Sequence, residues 1–170
     1  MYACGRSDRS SGRRQVRIRR YEARDAGALA DLYRRSVEEI GERDYDQEQV
    51  RAWAALGPSP AQIDARSADG RVTLVAVDDK DRPLAFGDLE HDGHIAYLYC
   101  APEAAGQGIT TALYDQLVQI ARERGMKRLH AEASEAARRF FLKKGFAVVR
   151  RRAFEILGVS IHNYAVEKSL

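Results

Sequence analysis

Two stretches of this chain combine residue types and spacings that can do chemistry. The first is "CAPEAAGQGITTALYDQL", Cys100 to Leu117, where a strand-like segment runs through Pro102 into Gly106 and Gly108 and straight into a helical pattern. The first backbone N–H groups of a helix have no partner inside it, so helices usually begin on Ser, Thr, Asp or Asn, or carry acids in the first turn. Residues 104–114 hold no acid. A glycine-lined, uncapped helix start is suited to an anion such as a phosphate. The second stretch is "GDLEH", in which Asp88 and Glu90 stand two apart and therefore share one strand face. Such carboxylates are candidate general bases, and the competing reading is a solvated face.

The glycine turn has other readings. Gly106 and Gly108 could simply permit a tight strand-to-helix connection. A dinucleotide site is a second option, with Glu132 as the acid twenty-four residues beyond Gly108. Against it, Thr111 stands where a third glycine belongs, and the strands before the turn are spaced as hairpins rather than as βα units.

The elements that position these residues follow from periodicity. "VRIRRY" reads as a short first strand, and Asp25 is expected to cap a helix over "AGALADLYRRSVEEI". Asp46 with Gln49, and Ser59 with Pro60 and Gln62, mark two further helix starts as capping boxes. From Arg71 the period changes to two: "RVTLVAVD", "PLAFGDLEH" and "HIAYLYCA" are three strands whose short connections require an antiparallel meander. A long helix ending at Gly125, the strand "MKRLHAEA", the helix "SEAARRFFLKK" and a closing hairpin around Gly158 complete the chain. The expected fold class is α+β, a mixed and mostly antiparallel central sheet flanked by helices.

The chain has 170 residues and a formal net charge of +3, but residues 1–20 carry seven arginines against Asp8 alone. That leaves the remaining 150 residues at +3 − 6 = −3, so the basic character belongs to the N-terminus. Residues 1–14 read as a disordered basic tail and 15–170 as one domain. Cys4 and Cys100 form no disulfide framework and no metal spacing, and no apolar run reaches membrane length. A cytoplasmic protein without membrane or nucleic-acid partners is expected.

The order of elements, with "APEAAGQGITTAL" after the fourth strand and "SEAARRFFLKKGF" after the fifth, resembles the GCN5-related N-acetyltransferase (GNAT) superfamily over about residues 16–168. The resemblance implies an α/β/α sandwich and acetyl-coenzyme A as cosubstrate. It places the pyrophosphate on Ala105, Gly106, Gln107, Gly108, Ile109, Thr110 and Thr111, with Ser134, Phe141 and Lys143 as further cofactor contacts. It lays the pantetheine arm along the backbone of Tyr99, Cys100 and Ala101, with an oxyanion-donating N–H near Tyr99. It departs from the family pattern at Ala105, which replaces an Arg or Gln, at Thr110, and at Phe141, which replaces the usual acid tyrosine.

The function implied is acetyl transfer to a primary amine in a direct ternary complex, with Asp88 or Glu90 as base and Tyr97, Tyr99 or Tyr164 as substitute acid. Tyr33, Tyr45 and Trp53 would border the acceptor cleft, although helical spacing alone makes Tyr33 and Trp53 core residues. His94 reads as a turn residue. The expected acceptor is a small-molecule amine, with a protein amine as the alternative, and the protein is expected to be a monomer or homodimer. The competing function is a non-catalytic acetyl-coenzyme A or coenzyme A sensor.

Overall fold

The computed structural model describes residues 15–170; the expectations for residues 1–14 lie outside the described residues. The strands are β1 (Arg17–Arg20), β2 (Val72–Val77), β3 (Pro83–Leu89), β4 (Leu98–Cys100), β5 (Arg128–Ala133), β6 (Ala147–Ile156) and β7 (Val159–Ser169). The helices are α1 (Ala26–Arg35), α2 (Gln47–Ala55), α3 (Pro60–Ser67), α4 (Ile109–Glu123) and α5 (Glu135–Lys143). Strands pair antiparallel in two groups, β1-β2-β3-β4 and β5-β7-β6. The mixed, mostly antiparallel α+β architecture is the expected one.

Every residue of β2 is buried. Phe86 packs toward Tyr97, Tyr99 and, beyond them, Tyr33 of α1, whereas a side chain at Gly87 would meet Leu117 of α4. Successive strand residues point to opposite faces, so α1 and α4 cover opposite sides of the first sheet. That double cover explains why β2 reads as the unbroken apolar run "VTLVAV".

Helix starts follow the chemistry of their first residues. The Asp46–Gln49 and Ser59–Gln62 capping boxes both form, with Pro60 in the first turn of α3. Asp25 departs from expectation: its backbone is already helical, and its carboxylate accepts from Arg19 at 2.7 and 2.8 Å and from the Glu22 N–H at 2.9 Å. It closes a 3-10 turn, Ala23–Asp25, ahead of α1 instead of capping the helix. At its other end α1 runs into a π-helical turn, Ser36–Ile40, a geometry that frequently marks functional sites.

The two sheets meet at one parallel bridge, His94 with His130. There the Ile95 N–H donates to His130 O at 2.9 Å and the His130 N–H to Gly93 O at 3.1 Å. Gly93 has φ +90°, and a Cβ on it would lie 2.1 Å from the Arg128 carbonyl, so only glycine allows this approach.

Beyond the bridge β4 departs from the continuous strand expected over "HIAYLYCA", because residues 95–97 are irregular. The cause is Asp88. Its Oδ1 accepts the consecutive N–H groups of Ala96 and Tyr97, at 3.0 and 2.7 Å. In a regular ladder successive N–H groups face opposite edges, so two on one oxygen bend the chain. Residues 98–100 pair with β3 and make no pairing with β5, and the strands diverge.

Candidate active site

Between the diverging strands lies a cavity of about 520 Å³, the size of a small-molecule site. It is bordered by β4, the end of β5, the turn before α4, α5, and the segment from the π turn to Trp53 of α2. Its wall is mainly apolar, and Asp44, Glu132 and Lys143 are its charged lining residues.

The edge that β4 presents to this cavity is set by the phase of the β3–β4 ladder. The Asp88 N–H donates to Tyr97 O at 3.0 Å and the Ala101 N–H to Leu84 O at 2.8 Å, with Phe86 opposite Tyr99 between them. Hydrogen-bonded pairs alternate along an antiparallel ladder, so the Tyr99 backbone groups face β3 and those of Leu98 and Cys100 face the cavity. The N–H groups of Tyr99 and Ala101 are therefore turned toward β3, and the edge donors near Tyr99 are those of Leu98 and Cys100. Tyr99 also lines the cavity; its ring is tilted by 52° against that of Tyr33 with centroids 4.5 Å apart, and burial holds its phenol well above the ordinary pKa.

At one end of the cavity is the glycine turn. Gly106 and Gly108 both have left-handed backbones, φ +76° and +79°, and a Cβ on either would meet open space. Gly108 caps α4 with no side-chain bond, and the first turn holds no acid. Among the described residues the N–H groups of Gly108, Ile109, Thr110 and Thr111 find no protein acceptor. These converging amides and the positive end of α4 fit a diphosphate. The turn is braced by the Gln107 side chain, which donates to Glu103 O at 2.6 Å, and by Arg35, which pairs with Glu103 at 2.6 Å. Ala105, Thr110 and Thr111 line the cavity with the glycines, Gln107 turns away, and Ile109 is buried in the core. Ser134, Phe141 and Lys143 line it from α5, and the Ser134 hydroxyl also caps that helix through Ala137 N–H at 3.2 Å. Phe141 is buried against Phe146, with ring centroids 4.7 Å apart.

The carboxylates are distributed differently from the sequence expectation. Asp88 is 1% exposed; its Oδ2 is held by Arg71 at 2.8 Å, and it is absent from the cavity wall. Glu90 also bonds Arg71 at 2.8 Å and lies outside the cavity. Two carboxylates do reach the cavity, Asp44 and Glu132, and Glu132 stands on β5 between the core residues Ala131 and Ala133 and so points away from the core. Its Oε2 is 2.7 Å from His94 Nε2, and the other ring nitrogen of His94 is 3.5 Å from Glu90. The His94 ring stacks on His130 at 4.8 Å, which fixes its plane.

Sequence reasoning passed over Glu132 as a base and treated His94 as a turn residue. The available signal was the alternation "AEA" at the end of β5, which puts one acid opposite two core alanines.

Tyr164 is drawn into a separate cluster. Its hydroxyl donates to Glu135 at 2.6 Å, and Arg138 lies over its ring at 4.6 Å. Burial opposes ionisation of Glu135, but hydrogen bonds from Tyr164, His162 and Arg138 hold its pKa down to about 2. Tyr45 joins this cluster to the cavity: its hydroxyl accepts from the Glu135 N–H at 3.0 Å and donates to His162 O at 3.2 Å, while its ring meets Trp53 at 5.4 Å.

Comparison with known proteins agrees with this geometry. The family model described as an acetyltransferase (GNAT) domain matches residues 42–168. An uncharacterized N-acetyltransferase of Escherichia coli strain K12, YafP, is 27% identical over 150 residues, covering 88% of this chain and 93% of that protein. A crystal structure from Rhodopseudomonas palustris, described as a GCN5-related N-acetyltransferase and as an aminotransferase of class II, superposes with TM-score 0.82. It is 34% identical and the match covers 91% of this chain and 95% of that one. A phosphinothricin acetyltransferase from Sinorhizobium meliloti, solved with acetyl-coenzyme A, shares the fold at TM-score 0.72 and 20% identity, covering 91% and 88% of the two chains. Among the described residues no helix is long and apolar enough to cross a membrane.

Proposed function

Because the chain belongs to the GNAT acetyltransferase family, we propose that it moves the acetyl group of acetyl-coenzyme A directly to a primary amine, with Glu132 as the proton acceptor. The observation that carries this reading is the β4 edge: the Leu98 and Cys100 backbone groups face a cavity whose far end is the uncapped start of α4.

Acetyl-coenzyme A, when bound, supplies a thioester-activated acetyl group, which the amine nitrogen takes as the carbon–sulfur bond breaks and the thiol leaves. The amides from Gly108 to Thr111 hold its diphosphate, and Lys143 lines the same cavity from α5. The Leu98 and Cys100 groups align the extended arm along β4, with one N–H aimed at the carbonyl oxygen, where charge grows. An aligned donor of this kind is worth about 10²–10³ in rate.

The amine must lose a proton. An alkyl ammonium is neutral in only about one molecule in two thousand at pH 7. Glu132 takes that proton at the cavity wall, and His94, 2.7 Å behind it, orients the carboxylate. Asp88 is fully committed to Arg71 and to two backbone amides, so its role is to hold the bend in β4. The leaving thiol, with a pKa near 8.5, needs little protonation by an acid near neutral pH, which accommodates Phe141 in place of a tyrosine.

The test is thiol release from acetyl-coenzyme A across a panel of amines, alongside binding of acetyl-coenzyme A by calorimetry. Turnover that Glu132→Gln abolishes while binding persists supports the enzyme. Tight binding with no turnover on any amine supports the sensor reading instead.

A further inference from the structure

We infer that the acceptor is a hydrophobic monoamine, a primary amine on an apolar or aromatic body that carries neither an acid nor a second ammonium. This deepens the proposed function and rests on it. With the turn at α4 and the far end of α5 assigned to the cosubstrate, the remaining wall runs from the π turn to α2 and across to Glu132. Val37 and Ile40 from the π turn, Val50 and Trp53 from α2, and Ile95 at the strand junction make that wall apolar. Tyr45 and Trp53, packed edge to face at 5.4 Å, add an aromatic surface.

Charge narrows the class further. Asp44 is consumed by a bidentate contact with Arg139, at 2.8 and 2.6 Å, and does not offer itself to a second ammonium. Lys143, the cation of the lining, ends α5 eight residues beyond Glu135, about 12 Å of helix away, and its neighbour Lys144 ties that end to Asp115 of α4 at 2.9 Å. The arginines nearest the wall are engaged, Arg139 with Asp44 and Arg152 with Glu132 at 3.6 Å, so a carboxylate against Val37, Ile40 and Trp53 would be desolvated without a free counterion, and a second ammonium likewise. Glu132, whose Oε1 is 3.6 Å from Arg152 and whose Oε2 is 2.7 Å from His94, supplies one anionic partner at the cavity wall, which suits one ammonium. Such a site selects by what it leaves unpaired as much as by what it contacts.

Matched substrates test this on the wild-type protein. 2-Phenylethylamine and L-phenylalanine differ by one carboxylate, and butylamine and 1,4-diaminobutane by one ammonium. The expected result is a kcat/KM at least about tenfold higher for the first member of each pair. Ile40→Lys should shift the first preference toward L-phenylalanine, and Trp53→Ala should reduce turnover of 2-phenylethylamine more than that of butylamine. Equal or better turnover of L-phenylalanine or 1,4-diaminobutane overturns the class while leaving the acetyltransferase reading intact. If no amine releases thiol although acetyl-coenzyme A raises the melting temperature, both fall together.

Discussion

The Asp88 carboxylate and the Arg71 guanidinium meet at 2.8 Å with side chains 2% and 9% exposed, and this buried pair anchors the bend that turns β4 away from β5. Burial alone would lower the guanidinium pKa, but bonds led by that to Asp69, with Asp88 and Glu90 adding to it, raise it further, so the charge is fixed. Asp88→Asn keeps an oxygen for the Ala96 and Tyr97 amides but removes the charge facing Arg71. The expected outcome is a loss of about 10²-fold in kcat, the scale of a donor misplaced by an ångström, with a lowered melting temperature. The acid limb of the pH–rate profile should stay where it is. Disappearance of that limb would make Asp88 the base and remove the positioning role.

Glu132→Gln tests the proton acceptor. Turnover at pH 7 should fall about 10²–10⁴-fold and recover in part as pH rises toward the amine pKa, since free amine then replaces the missing base. Affinity for acetyl-coenzyme A, measured by calorimetry, should not change. A variant with near wild-type kcat would shift the proton elsewhere.

The glycine turn predicts effects in both directions. Gly108→Ala forces a side chain onto φ +79°, a strain of about 1–2 kcal/mol, and projects a methyl into the space that the amides face. The free protein should lose about that much stability, and acetyl-coenzyme A binding to the folded protein should weaken as well. Ala105→Arg places a cation beside the same amides and should tighten binding by about tenfold, the scale of one charged hydrogen bond. Unchanged dissociation constants in both variants would remove the diphosphate from this turn.

Acid should act through Glu135. Its folded pKa of about 2 lies below the ordinary 4.5, so the folded state is favoured by its ionisation above pH 4.5, and that contribution is lost as pH falls from 4.5 toward 2. Wild type should melt at a higher temperature than Glu135→Gln near pH 6, and the gap should close toward pH 2. Parallel curves across that range would show that the Tyr164, His162 and Arg138 contacts contribute nothing linked to ionisation.

The residues legible in the sequence are those whose role depends on near neighbours. Gly106 and Gly108 before an acid-free helix, the Asp46 and Ser59 capping boxes, and the meander turns are local signals, and the structure contains each of them. What the sequence concealed is long-range. Whether Tyr99 or Leu98 faces outward depends on ladder phase, which a one-residue slip would reverse. Asp88 looked like a base because nothing in "GDLEH" reveals Arg71, seventeen positions earlier, or the two amides across the hairpin. Glu132 entered only as a nucleotide acid because its proximity to His94 spans thirty-eight positions.

The junction at Gly93, His94 and His130 gives the molecule a seam. On one side stand the sheet formed before α4 and the helices packed on it; on the other stand β5, β6, β7 and α5. One bridge, a shared apolar core and the polar contacts of Tyr45, Asp44 and His94 with Glu135, Arg139 and Glu132 tie these halves. A ligand lying across both would act as a weld, coupling their melting into a single transition and slowing solvent exchange of amides in each half at once.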